Sequence, residues 1–108
     1  MNKQSRVVFI DDETEKSYNK LKEDDFIKKA IKKAAAKLKQ NAFSGLQVPK
    51  RLIPKTYIIK YNINNLWKYN LPKGWRLMYT VTPDNKAELI TAIIEWLGHK
   101  DYERRFRY

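Results

Sequence analysis

Apolar residues recur along this chain with two different periods, and the changes of period mark out most of its elements. Val7-Val8-Phe9-Ile10 is the first apolar run, so residues 6–10 read as a short strand. Asp11-Asp12-Glu13 follows, and its negative charge suits the start of a helix predicted over about residues 13–22. In the next segment Ile27, Ala30, Ile31, Ala34 and Leu38 return at 3.6-residue spacing. This is one face of a second helix, capped by Asp24 or Asp25 and ended by Asn41, Ser44 and Gly45. Residues 46–55 carry Pro49 and Pro54 and read as an irregular basic connection.

The period then changes to two. Tyr57, Ile59, Tyr61 and Ile63 alternate across residues 56–63, which predicts a strand, and further strands are predicted over 66–71 and 75–82. Asn64-Asn65 and Pro72-Lys73-Gly74 are the turns between them. After Pro83-Asp84-Asn85, residues 87–97 are apolar on both faces, which fits a covered strand, although periodicity alone does not separate it from a buried helix. Residues 98–108 read as a polar and aromatic tail. The order of strand, two helices and antiparallel meander predicts one α+β domain over residues 1–108, with both helices packed on one face of the sheet. The other face is then left for function.

Composition removes several classes of chemistry. The 108 residues contain no cysteine, which rules out disulfides, zinc–cysteine sites and cysteine nucleophiles. The chain is long enough to hold a core without staples. No apolar run approaches a membrane span or a secretory signal, so a cytoplasmic protein with no membrane partner is expected.

Charge adds more. Residues 26–83 carry thirteen Lys and Arg and no acid, whereas the 25 residues before them sum to −2 and the 25 after them to zero. The net charge of +11 is thus confined to the middle of the chain. Such a field draws polyanions and makes a salt-sensitive phosphate-binding surface.

Arg76 is the most pointed candidate residue. It lies in Gly74-Trp75-Arg76-Leu77-Met78-Tyr79-Thr80-Val81, an otherwise strand-like run, where alternation puts Trp75, Leu77, Tyr79 and Val81 on one face and the guanidinium on the other. A permanent cation in a sheet needs a partner. Pairing with Glu95 is the structural explanation, and phosphate binding is the functional one.

The motif Gly74-Trp75-Arg76-Leu77-Met78-Tyr79 resembles the glycine-aromatic-arginine-aliphatic-x-tyrosine strand of the RelE/ParE superfamily of type II toxin-antitoxin systems. Gly98-His99-Lys100 resembles the basic element after that family's last strand, and Leu66-Trp67-Lys68-Tyr69 its lysine-bearing strand. The chain departs from the family pattern at Lys100, Phe106 and Asn70, where arginine, tyrosine and lysine are usual. The resemblance covers nearly the whole length. It implies a RelE-like toxin: a ribosome-associated mRNA endonuclease that uses neither metal nor cofactor, in which the ribose 2′-hydroxyl attacks the adjacent phosphate. Carried over by position, Arg76 is the phosphate clamp, Lys68 a cation or base, Lys100 a second cation and His99 the proton carrier, imidazole being the group that exchanges protons near neutrality. The expected partners are mRNA, the ribosome and an antitoxin with an acidic amphipathic segment.

Further RNA contacts are expected from Lys50, Arg51 and Lys55, and from Tyr102, Arg104, Arg105 and Phe106 in the aromatic-basic tail, where Tyr102 and Tyr108 also offer a phenol. Each has a plainer alternative. His99 can be a solvated strand-end residue, the helix lysines a solvated face, residues 104–108 a frayed end, and the three tryptophans packing residues. Two other functions fit the same sequence: a ParE-like topoisomerase inhibitor without nuclease activity, and a non-catalytic RNA- or ribosome-binding module.

Overall fold

In the computed structural model, which describes residues 3–84 and 88–107, a central sheet has strand order β1-β5-β4-β3-β2. The strands are β1 (Ser5–Phe9), β2 (Leu46–Gln47), β3 (Trp67–Asn70), β4 (Arg76–Pro83) and β5 (Leu89–Leu97). β1 runs parallel to β5, and β2 to β5 form an antiparallel meander. The fold is therefore α+β with a mixed five-stranded sheet. Ala87, Asn85 and Tyr108, named above in the last strand, the turn and the tail, lie outside the described residues.

Helix α1 (Asp12–Lys20) begins at Asp11, whose carboxylate accepts from the Thr14 backbone N–H at 2.8 Å. α2 (Phe26–Gln40) is capped in the same way by Asp25 on Ile27 N. Its apolar stripe, Ile27, Ile31, Ala34 and Leu38, packs on Leu77, Tyr79, Val81 and Ile93 of the sheet. Lys28 corrects the expectation of a solvated lysine face. It is buried and donates to Leu21 O and to Glu23, which also pairs with Lys32.

Three expectations are overturned on the opposite face. Residues 56–63 are not a strand: Lys55–Tyr61 is a helix, α3, preceded by Pro54 and ended by Asn62 in the left-handed conformation (φ 54°). The alternating pattern misleads because burial follows the helical period, with Tyr57 buried, Tyr61 one turn on, and Ile59 82% exposed. Residues 46–55 are less irregular than predicted, since they contain β2 and a 3-10 turn at Lys50–Leu52. The tail is also ordered, with His99–Arg105 forming helix α4, its acid Asp101 in the first turn and Arg104 and Arg105 in the last, as the helix dipole favours.

Helices therefore cover both faces of the sheet, not one. Val48, Ile53, Tyr57, Leu66, Met78, Ile94, Leu97 and Phe106 form a second core beneath α3 and α4. A bulge helps build it. Met78 pairs with Glu95 but Tyr79 with Ile93, so the extra residue turns Ile94 and Glu95 toward the same side.

Candidate nucleic-acid interface

β3 and β4 place Lys68 and Arg76 on one side of the sheet. Lys68 pairs with Met78 and Asn70 with Arg76, so both cations share the Met78 face, with one cross-strand step between them. The turn before β4 directs the arginine. Lys73 and Gly74 both have positive φ (61° and 78°), and the Gly74 carbonyl accepts a hydrogen bond from Arg76 Nη1. Glycine is suited to that conformation because it has no side chain to crowd the carbonyl.

Tyr102 of α4 comes down between the two cations. Lys68 Nζ donates to Tyr102 Oη at 3.0 Å, and the Arg76 guanidinium carbon lies 4.5 Å from the centre of the same ring. Stacking on Phe106, with centroids 4.6 Å apart, fixes the ring from behind. The phenol is thus held at two cations.

Arg76 does not pair with Glu95. That carboxylate accepts from Tyr57 Oη and lies 3.3 Å from Arg105 Nη2. Among the described residues neither Arg76 nor Lys68 has a carboxylate within ion-pair distance. The structural explanation for Arg76 that the sequence allowed is absent, and both side chains remain half-buried on the surface.

His99 and Lys100 occupy the first turn of α4. His99 Nε2 is paired with Glu103, four residues on, and both are exposed. Helical spacing sets His99 one turn from Tyr102 and turns Lys100 outward, on the side of Arg104. Lys100 is exposed and is not brought to the Lys68–Arg76–Tyr102 cluster.

The remaining candidates divide. Lys50 and Arg51 are exposed on the 3-10 turn. Lys55 at the start of α3 faces Arg104 and Arg105 across a cleft. Phe106 is corrected: it is 5% exposed and belongs to the second core, so it supports Tyr102 and has no face to offer a base. The three tryptophans are half-buried against the first core, as packing residues.

The sequence placed Tyr102 only within a tail. Its contact with Lys68 spans 34 residues, and the sole local signal was the i,i+4 pair Tyr102–Phe106. No protein-family model matches the chain, and neither a curated protein nor a solved structure does.

Proposed function

We propose that this protein is a RelE-like toxin, an endoribonuclease that cuts messenger RNA at the ribosome without a metal ion. The observation that supports it is the pair of cations Lys68 and Arg76, held about the Tyr102 phenol with no carboxylate within ion-pair distance among the described residues.

In the proposed reaction the ribose 2′-oxygen attacks phosphorus, the P–O5′ bond breaks, and a 2′,3′-cyclic phosphate and a free 5′-hydroxyl result. Arg76 and Lys68 stabilise the charge that grows on the non-bridging oxygens. Tyr102, whose oxygen accepts from Lys68, still has its own proton to give to the leaving oxygen. His99 takes the 2′-hydroxyl proton. With Nε2 engaged by Glu103, Nδ1 is the nitrogen left for it. The acid-free block also suits inhibition by an antitoxin with an acidic amphipathic segment.

One observation favours a second reading. Lys100 faces away from the cluster and His99 makes its contact with Glu103, an arrangement that also fits an RNA- or ribosome-binding module without cleavage. Purified protein added to translating ribosomes, followed by mapping of mRNA 5′ ends, separates the two. New ends at ribosome-occupied codons support the nuclease. Ribosome binding without new ends supports the module. Neither effect, together with inhibition of a topoisomerase, moves the assignment to the ParE-like alternative.

A further inference from the structure

On the α3–α4 side of the sheet two hollows adjoin through Pro54, Lys55, Arg105 and Arg107. The larger, about 670 Å³, also takes in Asp101 and Arg104, and the smaller, about 400 Å³, reaches Arg51. Together they make a cleft lined by five cations and one acid. Two of the cations are already engaged, Arg104 with Asp101 at 3.6 Å and Arg105 with Glu95 at 3.3 Å. Arg51, Lys55 and Arg107 have no carboxylate within ion-pair distance among the described residues. Like charges gathered without counter-charge repel one another, and a bound anion relieves that repulsion.

The shape selects the kind of anion. Lys55, Arg105 and Arg107 line both hollows, Arg104 only the larger and Arg51 only the smaller, so the positive lining extends over two adjoining open hollows, which suits a chain of phosphates better than a compact phosphate ester. α3 and α4 are seven residues each, roughly 10 Å long, so the cleft between them is too small to seat a duplex. Arg105 stands one helical turn from Tyr102, so the same short helix, α4, carries a residue of the cleft and a residue of the Lys68–Arg76 cluster.

We infer that the α3–α4 cleft is a track for the phosphodiester backbone of single-stranded RNA, carrying the strand to or from the Lys68–Arg76 cluster; this rests on the RNA reading above. Contact there is to phosphates. The track therefore adds affinity without sequence preference.

The test is the salt dependence of binding to a fluorescent oligouridylate with 2′-O-methyl riboses, which is bound but not cut. Each phosphate contact on a single strand contributes about 0.7 to the slope of log K against log salt. The double variant Lys55→Gln, Arg107→Gln is expected to flatten the slope by about 1.4. A control, Lys33→Gln with Lys37→Gln, removes the same charge from the solvent side of α2, across the sheet from the cleft, and is expected to leave the slope unchanged. Equal slopes for the two double variants overturn the track, as does wild type with no affinity for the oligomer. Polyglutamate bound in a cleft-dependent way when the oligomer is not bound also overturns it, in favour of an acidic protein partner. Cleavage is read separately on ribosomes. A flattened slope in a protein that never cuts mRNA keeps the track and removes the nuclease, and an unchanged slope in a protein that does cut keeps the nuclease and removes the track.

Discussion

At the scale of single residues, Arg76 decides the most, because the Glu95 ion pair that the sequence offered it does not form and its contacts are the Gly74 carbonyl and the Tyr102 ring. Glu95 shares its face of the sheet but is held by Tyr57 and Arg105, so Arg76→Ala removes no ion pair. The variant is expected to keep its thermal midpoint and lose roughly 10²- to 10³-fold in cleavage rate, the range for one preorganised charge-stabilising group. Ribosome cleavage assays alongside thermal melts check it, and undiminished cleavage removes Arg76 from the site. His99→Ala is expected to cost roughly 10²- to 10⁴-fold in cleavage rate. His99 and Glu103 are both exposed, so the fold tolerates the change and the rate reads chemistry alone. An undiminished rate assigns the proton transfer to another group.

At the scale of elements, the Tyr79 phenol of β4 ties the α2–β2 connection to the sheet. Its hydroxyl donates to Ala42 O and accepts from Gly45 N, each at 3.0 Å. A side chain at Gly45 would put Cβ 2.4 Å from the Lys68 carbonyl and 2.6 Å from Tyr79 Oη. Gly45→Ala is therefore expected to destabilise by about 1–3 kcal/mol, the overpacking range, and to shift the backbone that carries Lys68. Denaturant melts measure the first effect and RNA affinity the second; a neutral substitution refutes the close approach. The same phenol sets an alkaline limit. Burial pushes its pKa up to about 12 from an ordinary value near 10, and burial with the Glu95 contact moves Tyr57 in the same direction. A raised folded-state pKa gives stability that is complete below about pH 10 and is lost as pH climbs toward 12. Unfolding followed across that window should steepen, and Tyr79→Phe should remove part of the slope. These elements were unevenly legible in the sequence. α2 and β4 were readable because one long period ran through each, and β5 was readable only as a covered apolar run that periodicity did not separate from a buried helix. α3 was not, since four alternating apolar residues mimic a strand over seven positions, and only Pro54 and Asn62 marked a helix. α4 was missed because its anchors, Tyr102 and Phe106, make a single i,i+4 pair in a segment rich in arginine. Arg76 could be named from the strand pattern and Lys68 from the resemblance of residues 66–69 to a RelE/ParE strand, but their meeting at Tyr102 depends on α4 folding back over the sheet.

At the scale of the whole molecule, the positive charge is distributed in a way the sum of +11 conceals. Glu23 lies just outside the acid-free block yet reaches Lys28 and Lys32, so α2 is less positive than its sequence suggests. Glu95 and Asp101 reduce the field of Arg105 and Arg104 in the same manner. Among the described residues, the cations without a carboxylate within ion-pair distance include Lys68 and Arg76 at the cluster and Arg51, Lys55 and Arg107 along the cleft, all carried by the side of the sheet that α3 and α4 cover. A surface of this kind binds by displacing counterions from nucleic acid. Affinity for RNA or ribosomes is therefore expected to fall steeply as salt rises from about 50 to 200 mM, by about 10³-fold or more if six phosphates are contacted. Ribosome co-sedimentation over a salt series checks this. A salt-independent affinity would mean that apolar contacts carry the interaction, with the exposed Phe43, Leu46, Ile58 and Ile59 as the surface to examine next. The dependence also separates the two levels of the argument, because salt weakens the encounter with RNA whether or not Arg76 and His99 then cut it, whereas Arg76→Ala and His99→Ala act on cleavage at saturating substrate.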